Sequence, residues 1–129
     1  MQQAKNIIHT DHAPKAIGPY SQAVKVGGFL FCSGQIALDP ATGQVGVTDI
    51  EGQTRKVMEN VHAVLKAAGC DWDSVVKTTI FLKSMNDYPK VNEIYGSYFK
   101  STYPARSAVE VSRLPRDVLV EIEVIASAN

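Results

Sequence analysis

The chain has 129 residues, 13 basic and 13 acidic, with 45% hydrophobic and 20% charged side chains. That length fits one domain, residues 1–129, able to bury about two-thirds of its unfolded surface. Balanced charge argues against a sequence-independent nucleic-acid surface, and no apolar stretch reaches membrane-spanning length.

Residues 1–10 hold neither a signal-peptide core nor an Arg-rich presequence, so a cytoplasmic location is expected. Residues 4–9 read as a short strand, and Pro14, Gly18 and Pro19 make residues 10–19 an irregular loop. Tyr20–Val26 alternates, Gly27-Gly28 is a hairpin turn, and Phe29–Ser33 is a second apolar strand. Gly34 follows, where a close approach of the backbone to another group is expected. Asp39–Gly43 is a surface turn.

Thr48-Asp49-Ile50-Glu51 fits a capping box that opens a first helix. Ile50, Val57, Met58, Val61, Val64, Leu65 and Ala68 fall on one face of that helix, and Gly69 ends it. Trp72 reads as a packing plug and Val75–Leu82 as a strand rich in β-branched residues. Asn86 or Asp87 is the expected cap of a second helix, with Pro89 in its first turn. Its stripe of Tyr88, Val91, Ile94 or Tyr95, and Tyr98 or Phe99 reads as core.

The last segment carries the chemistry. Residues 102–111 and 117–125 alternate on either side of Leu114-Pro115-Arg116 and read as a β-hairpin. Arg106 shares a face with Ala108 and Glu110, and a guanidinium in such a setting suits a planar carboxylate. A cross-strand ion pair with a strand glutamate such as Glu121 is the competing reading. With a turn from Arg113 to Asp117, Glu121 lies opposite Val109, on the face away from Arg106. A one-residue slip or a bulge brings the two to one face.

The expected architecture is one mixed sheet with a hairpin at each end of the chain and two helices on one face. Several strands are apolar on both sides, notably Val118, Val120, Ile122 and Val124 against Leu119 and Ile125. Nothing in the chain remains to cover the second face, so self-association is expected. Cys32 and Cys70 make no disulfide framework and read as buried free thiols. His9, His12 and His62 have no partners at zinc spacing, so no metal site is read. Nucleotide-binding and hydrolase motifs are absent.

Ile17-Gly18-Pro19-Tyr20-Ser21-Gln22-Ala23, Ser33-Gly34-Gln35, Lys77-Thr78-Thr79, Asp87, Val91-Asn92, Pro104-Ala105-Arg106-Ser107, Leu114-Pro115 and Val120-Glu121-Ile122-Glu123 follow one another along the chain. Together they resemble the RidA (YjgF, or Rid) family of enamine/imine deaminases over residues 17–126. The resemblance implies a chorismate-mutase-like α+β fold, a homotrimer with clefts between subunits, and no cofactor. It also implies hydrolysis of 2-aminoacrylate and 2-aminocrotonate, products of pyridoxal-phosphate dehydratases, to 2-oxo acids and ammonia. By the same resemblance Arg106 grips the substrate carboxylate and Glu121 activates water. Tyr20, Ser33, Gly34 and Asn92 line the cleft, with the Ala108 backbone meeting the ligand where many relatives carry cysteine. These roles make a bulge or a shortened turn in the 106–125 segment the expectation. The alternatives are a 2-oxo-acid-binding regulatory trimer without significant turnover and a translation-inhibiting ribonuclease.

Overall fold

A computed structural model describes residues 4–128. Six strands form a single mixed sheet: β1 (Asn6–Ile8), β2 (Ala23–Val26), β3 (Phe29–Gln35), β4 (Val75–Leu82), β5 (Ala105–Glu110) and β6 (Val120–Ser127). Their spatial order is β1-β2-β3-β6-β4-β5. Helix α1 (Ile50–Ala67) packs on β3 and β6, and α2 (Tyr88–Gly96) packs beside α1. Among the described residues no helix is long and apolar enough to cross a membrane.

The N-terminal hairpin is as expected. Gly27 and Gly28 both take positive φ, 59° and 79°, between strands paired from Val26↔Phe29 onward. Two such residues match the right-handed twist of the strands they join, which other residues do only under strain.

The C-terminal hairpin does not exist. β5 pairs only with β4, in parallel, and β6 pairs antiparallel with both β3 and β4. β4 therefore lies between the two strands that sequence adjacency would pair. Residues 111–119 make the crossing through a tight turn in which Arg116 and Asp117 have φ of 59° and 56°. Such values are costly for residues with a Cβ. Two bonds from Arg113 to Asp117, 2.7 and 3.2 Å, and one from Arg116 Nη2 to the Gly43 carbonyl hold the turn in place.

One helix start differs from expectation, and the other has the expected cap residue without its side-chain bond. Asp49, not Thr48, caps α1, its carboxylate accepting from the Gly52 N–H at 3.0 Å. Asp87 precedes α2 without a side-chain cap bond. The capping hydroxyl is instead that of Ser84, which accepts from the Asn86 N–H of a preceding 3₁₀ turn. Gly69 closes α1 as expected: with φ of 77° it donates to the Lys66 carbonyl while Cys70 donates to that of Leu65. This is the Schellman pattern.

The core fills the space between the helices and one sheet face. Val57, Met58, Val64 and Leu65 of α1 meet Leu30, Ile80, Leu82, Val120 and Ile122, all 0–1% exposed. Each such side chain contributes about 1.5–3 kcal/mol by leaving water. Trp72 plugs the end of the core, stacked on His62 and edge-on to Phe99. Both cysteines are free and buried. On the other sheet face Phe29, Phe31 and Val109 stand 41–46% exposed, and Ile7 56%. No element of the described chain covers them.

Candidate functional site

The period of two along each strand decides which side chains meet. Arg106 pairs with Thr78, and Thr78 with Val124, so these three project toward the helices. Glu121 pairs with Phe81, which pairs with Val109, and this row projects to the open face. Arg106 and Glu121 thus occupy opposite faces, two strand spacings or about 10 Å apart across the strands and three residues or about 10 Å apart along them. The expected bulge or shortened turn between them is absent, because β4 rather than a turn sets their relation.

The remaining residues sort themselves into two groups. Asn92 and Ala108 join Arg106 at the β5–α2 edge. Ser33 and Gly34 join Glu121 on the β3–β6 side, and Tyr20 lies in the exposed loop that leads into β2. From β3 to β5 is three spacings, about 14 Å.

At the first group Arg106 makes no ion pair among the described residues. Its Nη1 donates to Asn92 Oδ1 at 2.8 Å and its Nη2 to the Tyr88 hydroxyl at 2.5 Å. Its Cζ lies 5.1 Å from the Tyr95 ring centroid, and the Tyr95 hydroxyl is engaged by Thr78 Oγ1 at 2.7 Å. Burial lifts the Tyr95 phenol above its ordinary pKa, opposed by its bond to Thr78 and by the Arg106 charge. A guanidinium has five N–H donors, so among the described residues three of Arg106's remain free. It borders a cleft of about 630 Å³ with Asn92, Glu93, Tyr95, Tyr103 and Pro104. A half-buried cation held only by neutral oxygens and an aromatic face, beside an open cleft, is fitted to take an anion.

At the second group the sheet is irregular. Between Cys32↔Val124 and Gln35↔Ile122, β3 has one residue more than β6, so Ser33-Gly34 forms a bulge opposite Glu123. The Ser33 hydroxyl donates to the Ser21 carbonyl at 2.5 Å, and its N–H donates to that of Gln22. The Glu121 carboxylate lies over Gly34 so closely that a Cβ there would collide with Oε2 and stand 2.9 Å from Cδ. That is the close approach the glycine allows. Burial, and secondarily the charge of Glu123, raise the Glu121 carboxyl above its ordinary pKa, with no hydrogen bond opposing the shift among the described residues. Such a carboxyl exchanges protons closer to neutrality than an ordinary one.

Cys32 offers no nucleophile. Burial, and then the neighbouring Cys70, push its thiol up to about 12. No cluster of three or more His, Cys, Asp or Glu suited to a metal occurs among the described residues. Tyr88, Tyr95 and Thr78 are the residues that sequence reasoning missed, since the tyrosines read as core. The available signal was the spacing 88, 92, 95, which puts two hydroxyls and an amide on one helix stripe.

A family model described as Endoribonuclease L-PSP matches residues 10–128. A crystal structure from Yersinia pestis, described as a conserved Rid family protein, superposes with a TM-score of 0.94 at 56% identity, over 96% of this chain and 99% of that one. A mouse protein named 2-iminobutanoate/2-iminopropanoate deaminase is 49% identical, over 95% of this chain and 90% of its own length. The structure of E. coli TdcF with bound serine aligns at 45% identity with a TM-score of 0.91, over 96% and 99% of the two chains.

Proposed function

This chain belongs to the Rid family, the one whose model is described as Endoribonuclease L-PSP, and from that membership we propose that it is a 2-iminobutanoate/2-iminopropanoate deaminase. In this reaction water adds across the C=N bond of a small 2-imino acid, and the carbinolamine expels ammonia to leave the 2-oxo acid. The observation that carries the reading is Arg106, without an ion pair and with free N–H donors among the described residues, beside a cleft. A small 2-imino acid offers one strong handle, its carboxylate, and two parallel bonds from the guanidinium would fix C2 relative to an attacking water. Glu121, its pKa raised by burial, is the group to take a proton from that water and return one to the departing nitrogen. The mouse deaminase and the serine-bound E. coli relative support a small carboxylate ligand.

The two groups of residues face opposite sides of the sheet, so one copy of the chain does not bring Arg106 to Glu121. A neighbouring copy laid on the open apolar face would supply the missing half, and a closed homotrimer is the assembly we propose. Arg106, Asn92 and Ala108 would then come from one subunit, with Glu121, Gly34, Ser33 and Tyr20 from the next. The test is to generate 2-aminocrotonate with a threonine dehydratase and to measure 2-oxobutanoate release with and without this protein. Acceleration is expected. Binding of 2-oxobutanoate with no acceleration would leave a carboxylate receptor and reject the deaminase.

A further inference from the structure

We propose that Tyr88 is a positioning residue for Arg106, its hydroxyl fixing Nη2 and with it the plane of the guanidinium offered to a carboxylate. The proposal rests on the reading of Arg106 as a carboxylate clamp. Arg106 sits on an edge strand, where a long side chain has many rotamers and only one orientation presents two parallel donors. Three contacts choose that orientation, and all come from α2 at positions 88, 92 and 95, one face of one helix.

The three contacts differ in kind. Asn92 takes Nη1 through its amide oxygen. Tyr95 offers its ring, because its hydroxyl is engaged by Thr78. Tyr88 offers its hydroxyl to Nη2 at 2.5 Å, and its ring centroid lies 5.5 Å from Cζ, so deleting the oxygen alone separates the bond from the ring contact. A guanidinium only donates, so the Tyr88 oxygen must be the acceptor. One nitrogen anchored by Asn92 alone would leave the group free to swing about that bond. Anchoring the second nitrogen removes the swing. The Tyr88 hydroxyl has no other partner among the described residues, so its bond to Arg106 is separable from the packing of the ring.

The experiment compares wild type with Tyr88→Phe, which keeps the ring and deletes the oxygen. Guanidinium nitrogen NMR on arginine-labelled protein, with the Arg106 signal assigned by its loss in Arg106→Lys, reads the hold directly and without ligand. Separate, slowly exchanging Nη signals are expected in wild type and merged signals in Tyr88→Phe. Calorimetric titration with 2-oxobutanoate should show about tenfold weaker binding in the variant at an unchanged thermal midpoint, and Tyr88→Leu should lose at least as much. Unchanged Nη signals in Tyr88→Phe, or unchanged affinity per folded molecule, would overturn the proposal. So would a lowered thermal midpoint as the sole effect, which marks a structural bond. Failure of wild type to bind 2-oxobutanoate would reject the clamp reading itself, while the guanidinium signals would still report whether Tyr88 holds Arg106.

Discussion

The Arg106 edge and the Glu121 face present two ways of keeping a charge in a half-buried place. Arg106 is finished within the chain: two oxygens and two tyrosine rings hold it, and it borders a cleft. Glu121 is unfinished. It lies over a glycine on an open apolar face, with burial raising its pKa and no hydrogen bond among the described residues lowering it. The first arrangement fixes a direction for binding, because the donors are aimed before a ligand arrives. The second keeps a proton exchangeable, because nothing stabilises the carboxylate form. Binding calls for the one and acid–base chemistry for the other.

If that division is right, the two charges fail differently when altered. The largest effect is expected for Glu121→Gln, which should lower turnover by about 10²–10⁴-fold while 2-oxobutanoate binding is kept or improved. Wild-type turnover in that variant would end the catalytic assignment of Glu121. Arg106→Lys comes next. It keeps the charge but loses the planar fork, so 2-oxobutanoate affinity should fall about 10–100-fold at a near-constant thermal midpoint. Unchanged affinity would sink the clamp, and a fall in stability alone would turn Arg106 into a structural residue.

Gly34→Ala probes the Glu121 side without touching its charge. The new Cβ must push the carboxylate away, so turnover should drop about tenfold with affinity little changed. Equal loss of affinity would mean that the two groups of residues are not independent.

The smallest effect is on stability against pH. Because the folded-state pKa of Glu121 is raised, the folded protein holds that proton more tightly than the unfolded chain. Wild-type stability should therefore decline relative to Glu121→Gln as pH rises from the ordinary carboxylate value of 4.5 through the raised folded value. Thermal midpoints of both proteins across that window measure it. The acid limb of the rate should lie above that of an ordinary carboxylate for the same reason.

Much of this was legible in the chain. Alternation over 118–125 assigned each side chain to a face, because a strand's period is two whatever lies beside it. Gly27-Gly28 and Gly69 marked a turn and a helix end, because only glycine takes those φ values freely. The apolar second face of the sheet followed from the same alternation. Local rules also erred by small amounts where neighbouring residues competed, as Thr48 and Asp49 did for one cap.

Which strands are neighbours was decided by the tertiary structure alone. Two alternating runs joined by a short turn have the pattern of a hairpin, yet β4 separates β5 from β6. Period two fixes the face of a residue and carries no information about which strand lies alongside, since any apolar-faced strand offers the same hydrogen-bonding edge. The same limit hid the setting of Arg106. Its identity marked it as a carboxylate ligand, but its partners come from α2, a segment whose tyrosines look like core until the parallel β4–β5 pairing brings the edge strand beneath them. A helix stripe records which residues leave water together, and only the packing of the strand against it decides what their hydroxyls touch.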